Sequence, residues 1–133
     1  MKKVKGLIIM LLILLSLFGM TACDGGNEKS STYEQITAEQ AKNIMDTEKD
    51  YVIIDARTDE EFAEGHIENA ILIPEYEIAD RAEKELPDKE QLILVYCRSG
   101  RRSKIASEEL VKLGYTNVKE FGGIIDWPYD IVK

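Results

Sequence analysis

One cysteine in this chain, Cys97, has neighbours that favour a reactive thiol. Cys97 follows the apolar run LILVY at 92–96, and a short polar loop comes after it before a helical pattern begins. The residues of this loop are small or cationic: Arg98, Ser99, Gly100, Arg101, Arg102 and Ser103. A thiol at the carboxyl end of a strand and beside a helix start meets backbone N–H and guanidinium groups, which favour negative charge on sulfur. The pattern is typical of a nucleophilic cysteine that acts on small anions.

The amino terminus carries a targeting pattern that has to be separated from the fold. Three lysines within the first five residues precede an almost wholly apolar run of 12 residues at 7–18. A run of this length suits the core of a signal peptide and is shorter than the roughly 20 residues of a membrane-spanning helix. It ends in GMTAC at 19–23, which resembles a bacterial lipoprotein signal whose cysteine, Cys23, becomes the lipidated first residue. Ordinary secretion with cleavage nearby is the alternative.

We expect three parts in the chain: a lipoprotein signal peptide at 1–22, the lipidated cysteine with a flexible linker at 23–32, and a folded domain at 33–133. This arrangement predicts an extracytoplasmic domain that a lipid anchors to a bacterial cell membrane. With Cys23 lipidated, Cys97 has no partner for an intramolecular disulfide. An inert buried thiol is the alternative for Cys97, but the arginines and glycine beside it are unlike the apolar neighbours of such a residue.

The part of the chain after the signal is strongly acidic. Residues 1–23 hold three of the 17 basic residues and none of the 25 acidic ones, which leaves 14 basic against 25 acidic residues and a net charge of −11. An acidic domain is unsuited to nucleic acid, because that binding depends mostly on basic contacts to phosphate. Arg98, Arg101, Arg102 and Lys104 form a local basic island beside Cys97, which would attract a small anion.

Alternating strand and helix patterns surround the cysteine. Apolar runs predict five strands, at 33–36, 51–54, 70–73, 92–96 and 118–121. Helical patterns lie between them, at 37–45, 58–64, 78–86 and 103–113, and the first two open with capping boxes at Thr37 and Thr58. This alternation predicts an α/β fold, a parallel sheet with helices on both faces. Ligands of such sheets bind beyond the carboxyl ends of the strands, so Asp55 and Arg57 are expected to share one edge with Cys97.

Three segments of the sequence resemble the rhodanese-homology domain in the order that this family has them. The segment VIIDARTDEEFAEGHIENAILIP at 52–74 resembles the family's first signature, and CRSGRRS at 97–103 resembles its active-site loop. The residues GY at 114–115, Val118, GGI at 122–124 and WP at 127–128 resemble its usual ending. The resemblance covers about residues 33–133 and implies a rhodanese-like, five-stranded parallel sheet.

The resemblance implies a single-domain sulfurtransferase that uses no cofactor. Cys97 would attack the outer sulfur of thiosulfate or a related donor, release sulfite, hold the sulfur as a persulfide and pass it to a thiol or to cyanide. The expected partners are thus a small sulfur-containing anion and a thiol acceptor, and we expect a monomer. Backbone N–H groups from Arg98 to Ser103 would surround the transferred sulfur. Arg98 and Arg102 would hold its oxyanion, with Arg102 the stronger candidate.

Other residues with chemical potential have structural interpretations. Asp55 and Arg57 are predicted to support the site by holding the strand ends. His66 is the only histidine, so a Cys–His dyad is conceivable, but the family pattern places it in a structural turn. With one histidine, the sequence also offers no cluster of ligands for a metal. Glu61 is explained by its capping box.

Two other functions stay open at this point. A phosphatase or arsenate reductase of the same fold uses a cysteine loop one residue longer that closes with an arginine. Here Arg102 comes five residues after Cys97, one too early for that pattern. A non-enzymatic domain that carries a persulfide or binds a partner is the other alternative, although the presence of Cys97 argues against an inactive domain.

Overall fold

The structure, a computed structural model, describes residues 32–133. The predicted signal peptide, Cys23 and nearly all of the predicted linker lie outside the described residues. Within residues 32–133, no helix has the length and apolar character needed to cross a membrane.

Five strands of the described part of the chain form one sheet. They are β1 (Glu34–Gln35), β2 (Tyr51–Asp55), β3 (Ala70–Leu72), β4 (Leu92–Cys97) and β5 (Val118–Gly123). All neighbours pair in parallel, and the order across the sheet is β1-β5-β4-β2-β3. The predicted α/β class with a five-stranded parallel sheet is confirmed.

Four α-helices connect these strands within residues 32–133. They are α1 (Ala38–Thr47), α2 (Asp59–Glu64), α3 (Ile78–Glu85) and α4 (Arg101–Lys112), with 3₁₀ turns at Glu75–Glu77 and Ile124–Asp126. The capping box predicted at Thr37 is present, because Thr37 Oγ1 accepts from the Gln40 N–H and Gln40 Oε1 accepts from the Thr37 N–H. Helix α4 begins at Arg101, two residues before the predicted start.

The strands separate two apolar cores, one on each face of the sheet. Ile53 and Leu94 point to the side covered by α1, where they pack with Ala41. The next residue of each strand points the other way, so Ile54 and Val95 pack in the core that includes side chains of α3 and α4. Each fully buried aliphatic side chain of this kind contributes about 1.5–3 kcal/mol. The two cores bury both faces of the sheet, as the predicted alternation of strands and helices implies.

The register of the two central strands determines where the site forms. Asp55, the last residue of β2, is paired with Tyr96, so β2 and β4 end at the same edge of the sheet. Cys97 is the last residue of β4 and belongs to the core on the α4 side. The thiol therefore lies at the carboxyl edge, where parallel sheets bind ligands.

Candidate active site

The thiol of Cys97 lies beneath a tight backbone turn. Its side chain is 1% exposed, and the Gly100 backbone N–H donates to Sγ at 3.0 Å. Gly100 has φ +105°, a left-handed conformation that glycine adopts without strain. It immediately precedes α4, so the turn also directs the start of that helix toward the site. Arg98, Ser99 and Arg101 are exposed around this turn.

A serine and a buried glutamate lie on the inner side of the sulfur. Ser103 Oγ is 3.3 Å from Cys97 Sγ and 2.6 Å from Glu120 Oε1. Both residues are buried, and Glu120 also accepts from the Gly122 backbone N–H at 2.8 Å. Sequence reasoning missed Glu120 as a residue of this site. The signal that could have found it is its period-two spacing from Val118, which places the two side chains on the same face of β5.

The end of β5 packs closely against the backbone of the loop that follows Cys97. Pairing of β4 with β5 shifts register at Cys97, which lies opposite Gly123. A Cβ atom on Gly123 would lie 2.1 Å from the carbonyl oxygen of Arg98, so only glycine fits this approach. The same carbonyl accepts from the Ile125 N–H at 3.2 Å. Two contacts with the end of β5 and the turn after it thus hold the loop over the thiol.

The guanidinium group of Arg102 is engaged by Glu61. Two nitrogens of Arg102 donate to the two carboxylate oxygens of Glu61 at 2.7 and 2.9 Å. These hydrogen bonds hold the pKa of Glu61 below its usual value and raise the pKa of Arg102, against the opposing effect of partial burial. The carboxylate of Glu61, which the sequence assigned to a capping box, thus connects α2 to α4. Contact of Arg102 with a substrate stays a prediction. It requires the guanidinium group to bind the substrate alongside Glu61 or to leave Glu61.

Asp55 and Arg57 form a buried ion pair at the end of β2. Arg57 Nη2 donates to Asp55 Oδ2 at 2.7 Å and to the Gly65 carbonyl oxygen at 2.7 Å. Burial alone would lower the pKa of Arg57, but the hydrogen bonds and charge of Asp55 raise it. Tyr96 donates to Asp55 Oδ2 at 2.6 Å and accepts from the Ile67 N–H. The network joins β2, β4 and the turn after α2, which agrees with a supporting role.

His66 makes its contacts away from the sulfur. Its ring stacks on Phe62 with centroids 3.7 Å apart, and its Nδ1 lies 2.9 Å from the Phe62 carbonyl oxygen. Its backbone pairs with Val132 near the carboxyl terminus. These contacts agree with the predicted structural turn.

The arrangement suits attack by sulfur on a small anionic substrate. A thiolate at Cys97 would be stabilised by the Gly100 N–H and by the helix start, and exposed arginines of the loop could hold an anion beside it.

Comparison with known proteins identifies the family of this chain. A family model described as the rhodanese-like domain matches residues 37–128. The chain belongs to the rhodanese-like domain family. Among its relatives in this family, the thiosulfate sulfurtransferase PspE of Escherichia coli is 41% identical over 80 residues, which cover 60% of this chain and 77% of that protein. A sulfurtransferase of Allochromatium vinosum is 40% identical over 88 residues, or 65% of this chain and 79% of that protein.

Solved rhodanese structures share the fold of the chain. A rhodanese with anions from E. coli matches with a TM-score of 0.59 and 38% identity, covering 62% of this chain and 98% of its own. The resemblance to the rhodanese family that the sequence motifs indicate is confirmed.

Proposed function

We propose that the chain is a sulfurtransferase that moves sulfane sulfur through a persulfide on Cys97. The thiolate attacks the outer sulfur of thiosulfate or a similar donor, the S–S bond of the donor breaks, and sulfite leaves with the electron pair. A thiol or another thiophilic acceptor then attacks the outer sulfur of the persulfide, whose S–S bond breaks to restore the Cys97 thiolate. The observation that carries this proposal is the Gly100 N–H, 3.0 Å from Sγ, within a short loop at the carboxyl edge of the sheet.

The names of the relatives support thiosulfate as a donor class. One relative is a thiosulfate sulfurtransferase and another a sulfurtransferase, at about two-fifths identity each. The related E. coli rhodanese was solved with anions. In this chain, the exposed loop residues Arg98, Ser99 and Arg101 are the groups best placed to receive such an anion first.

The spacing of the loop supports sulfur chemistry over phosphate or arsenate chemistry. Arg102 comes five residues after Cys97, one residue too early for the longer loop that a phosphatase or arsenate reductase of this fold closes with an arginine. A single transferred sulfur atom needs less room than a whole tetrahedral oxyanion, and the turn at Gly100 supplies a donor for it.

We further propose that a lipid on Cys23 anchors the domain at the outer side of a bacterial membrane. The lysines, the apolar run and the GMTAC segment of the first 23 residues support this proposal. The anchor would hold the persulfide near a membrane-bound or extracytoplasmic thiol acceptor.

The persulfide is tested by the mass of the protein after incubation with thiosulfate. We expect the chain to gain one sulfur atom, to lose it on addition of cyanide, and to gain none when Cys97→Ser is used. Cys23→Ser is the matched control, because it removes the chain's other cysteine and should still gain the atom. Sulfur that appears on Cys97→Ser would contradict the proposal.

A further inference from the structure

A buried carboxylate beside the nucleophile has no part in the sulfur transfer described above. Glu120 on β5 is 3% exposed, and its hydrogen bonds come from the Ser103 hydroxyl and the Gly122 backbone N–H. Acidic side chains are almost never buried this deeply unless they are paired, since burial disfavours the charge. Both of these donors are neutral, so the position of Glu120 needs another explanation.

The hydroxyl of Ser103 sets the direction of the hydrogen bonds between Cys97 and Glu120. Ser103 has one proton to donate, and its contact with Glu120 Oε1, at 2.6 Å, is shorter than its contact with the Gly100 carbonyl oxygen, at 3.0 Å. With that proton given to Glu120, Ser103 Oγ accepts from the Cys97 thiol 3.3 Å away. The three side chains form one chain of hydrogen bonds that runs from sulfur through hydroxyl to carboxylate.

We propose that Glu120 is a positioning residue that takes the thiol proton of Cys97 through Ser103. The S–H bond of Cys97 breaks and its proton passes to Ser103 Oγ, while the Ser103 proton passes to Glu120 Oε1. The products are a thiolate and a neutral carboxylic acid. One negative charge thus moves from Glu120 to sulfur, and no group is oxidised or reduced. The Ser103 hydroxyl, which now accepts from the acid, donates to the thiolate.

Charged and titratable groups lie at both ends of this relay. At the sulfur end, the positive charge of Arg102 acts on Cys97. At the other end lies Tyr33, whose pKa is raised by burial and by the negative charges of Glu108 on α4 and of Glu120. The charge that arrives at sulfur thus faces a guanidinium group, and the Gly100 N–H already donates to Sγ.

The inference rests on the proposed role of Cys97 as the nucleophile, and its test needs no sulfur donor. The rate of alkylation by iodoacetamide is measured against pH in the full chain carrying Cys23→Ser, which leaves Cys97 as the only thiol. In this background Glu120→Gln still accepts from Ser103 but cannot take a proton. We expect alkylation about a hundredfold slower at about pH 7. At about pH 10, where a thiol ionises without help, the rates should be equal.

Two further variants separate proton transfer from charge and packing. Glu90→Gln removes an exposed acid of the turn before β4 and is the matched control, which should follow the parent at every pH. Glu120→Asp keeps a carboxylate and should restore part of the rate at about pH 7.

Three results would overturn the relay. One is alkylation of Glu120→Gln at about pH 7 that equals or exceeds the parent rate, because the carboxylate would then only repel the thiolate. Another is equal slowing across the whole pH range, which indicates a structural loss. If Glu120→Gln does not fold, Ser103→Ala is used instead, because it interrupts the relay between Cys97 and Glu120. The third result that would overturn the relay is alkylation of Ser103→Ala that is not slowed at about pH 7. A working relay in a chain that gains no sulfur from thiosulfate would contradict only the proposed function.

Discussion

At the scale of single residues, the arginines around Cys97 divide into two kinds. Arg98 and Arg101 are exposed and can turn toward an anion at little cost. Arg102 is held by both carboxylate oxygens of Glu61, in the forked geometry that makes such pairs directional. The pair neutralises one charge of the basic island and joins α2 to the first turn of α4.

Glu61→Gln should therefore lower the free energy of unfolding in a pH-dependent way. Arg102 holds the pKa of Glu61 below its ordinary value of 4.5, so the stabilisation is fully present above that value and is lost as pH falls through the lowered pKa. We expect a loss of about 1 kcal/mol at about pH 7 and nearly none at about pH 3, measured by urea unfolding. Glu60→Gln removes an exposed acid from the same turn and controls for the charge at the helix start. A loss that is the same at both pH values would show that the ion pair is not its cause.

At the scale of elements, the sequence predicted the order and type of all five strands and all four helices of residues 32–133. Each carries a local pattern, such as the Thr37 capping box or the apolar run that ends at Cys97. The pair of Glu61 with Arg102 could not be predicted, because 41 residues separate its members and only the folded arrangement of α2 and α4 brings them together. Glu120 was missed because its burial depends on β5 lying beside β4.

The approach of β5 to the active-site loop gives a test at this scale. In Gly123→Ala, the added carbon would fall 2.1 Å from the Arg98 carbonyl oxygen, so the loop has to move away from β5. Misplacement of a catalytic group by about 1 Å can cost a hundredfold in rate, and we expect a loss of that order in sulfur transfer per folded molecule.

Gly114→Ala is the matched control for this change. Gly114 follows α4 with φ +97°, and an added Cβ there meets nothing within 4 Å. The control should lose about 1 kcal/mol of stability through backbone strain and keep its turnover. Full turnover of folded Gly123→Ala would show that the loop does not depend on this contact.

At the scale of the whole molecule, the proposed lipid anchor separates the roles of the two cysteines. Cys23 would carry the lipid and Cys97 the sulfur, so the two variants should fail in different assays. In cells given a labelled fatty acid, we expect label on the parent chain and on Cys97→Ser, and none on Cys23→Ser. Label on Cys23→Ser, or none on the parent, would contradict the lipoprotein assignment.

Sulfur transfer through Cys97 is tested by the formation of thiocyanate from thiosulfate and cyanide. The full chain, Cys23→Ser and Cys97→Ser are compared as folded, reduced proteins at equal concentration. We expect turnover by the parent and by Cys23→Ser, and none by Cys97→Ser, because that variant lacks the thiol to which the Gly100 N–H donates. Turnover that persists in Cys97→Ser, or its absence from the folded and reduced parent, would contradict sulfur transfer through Cys97.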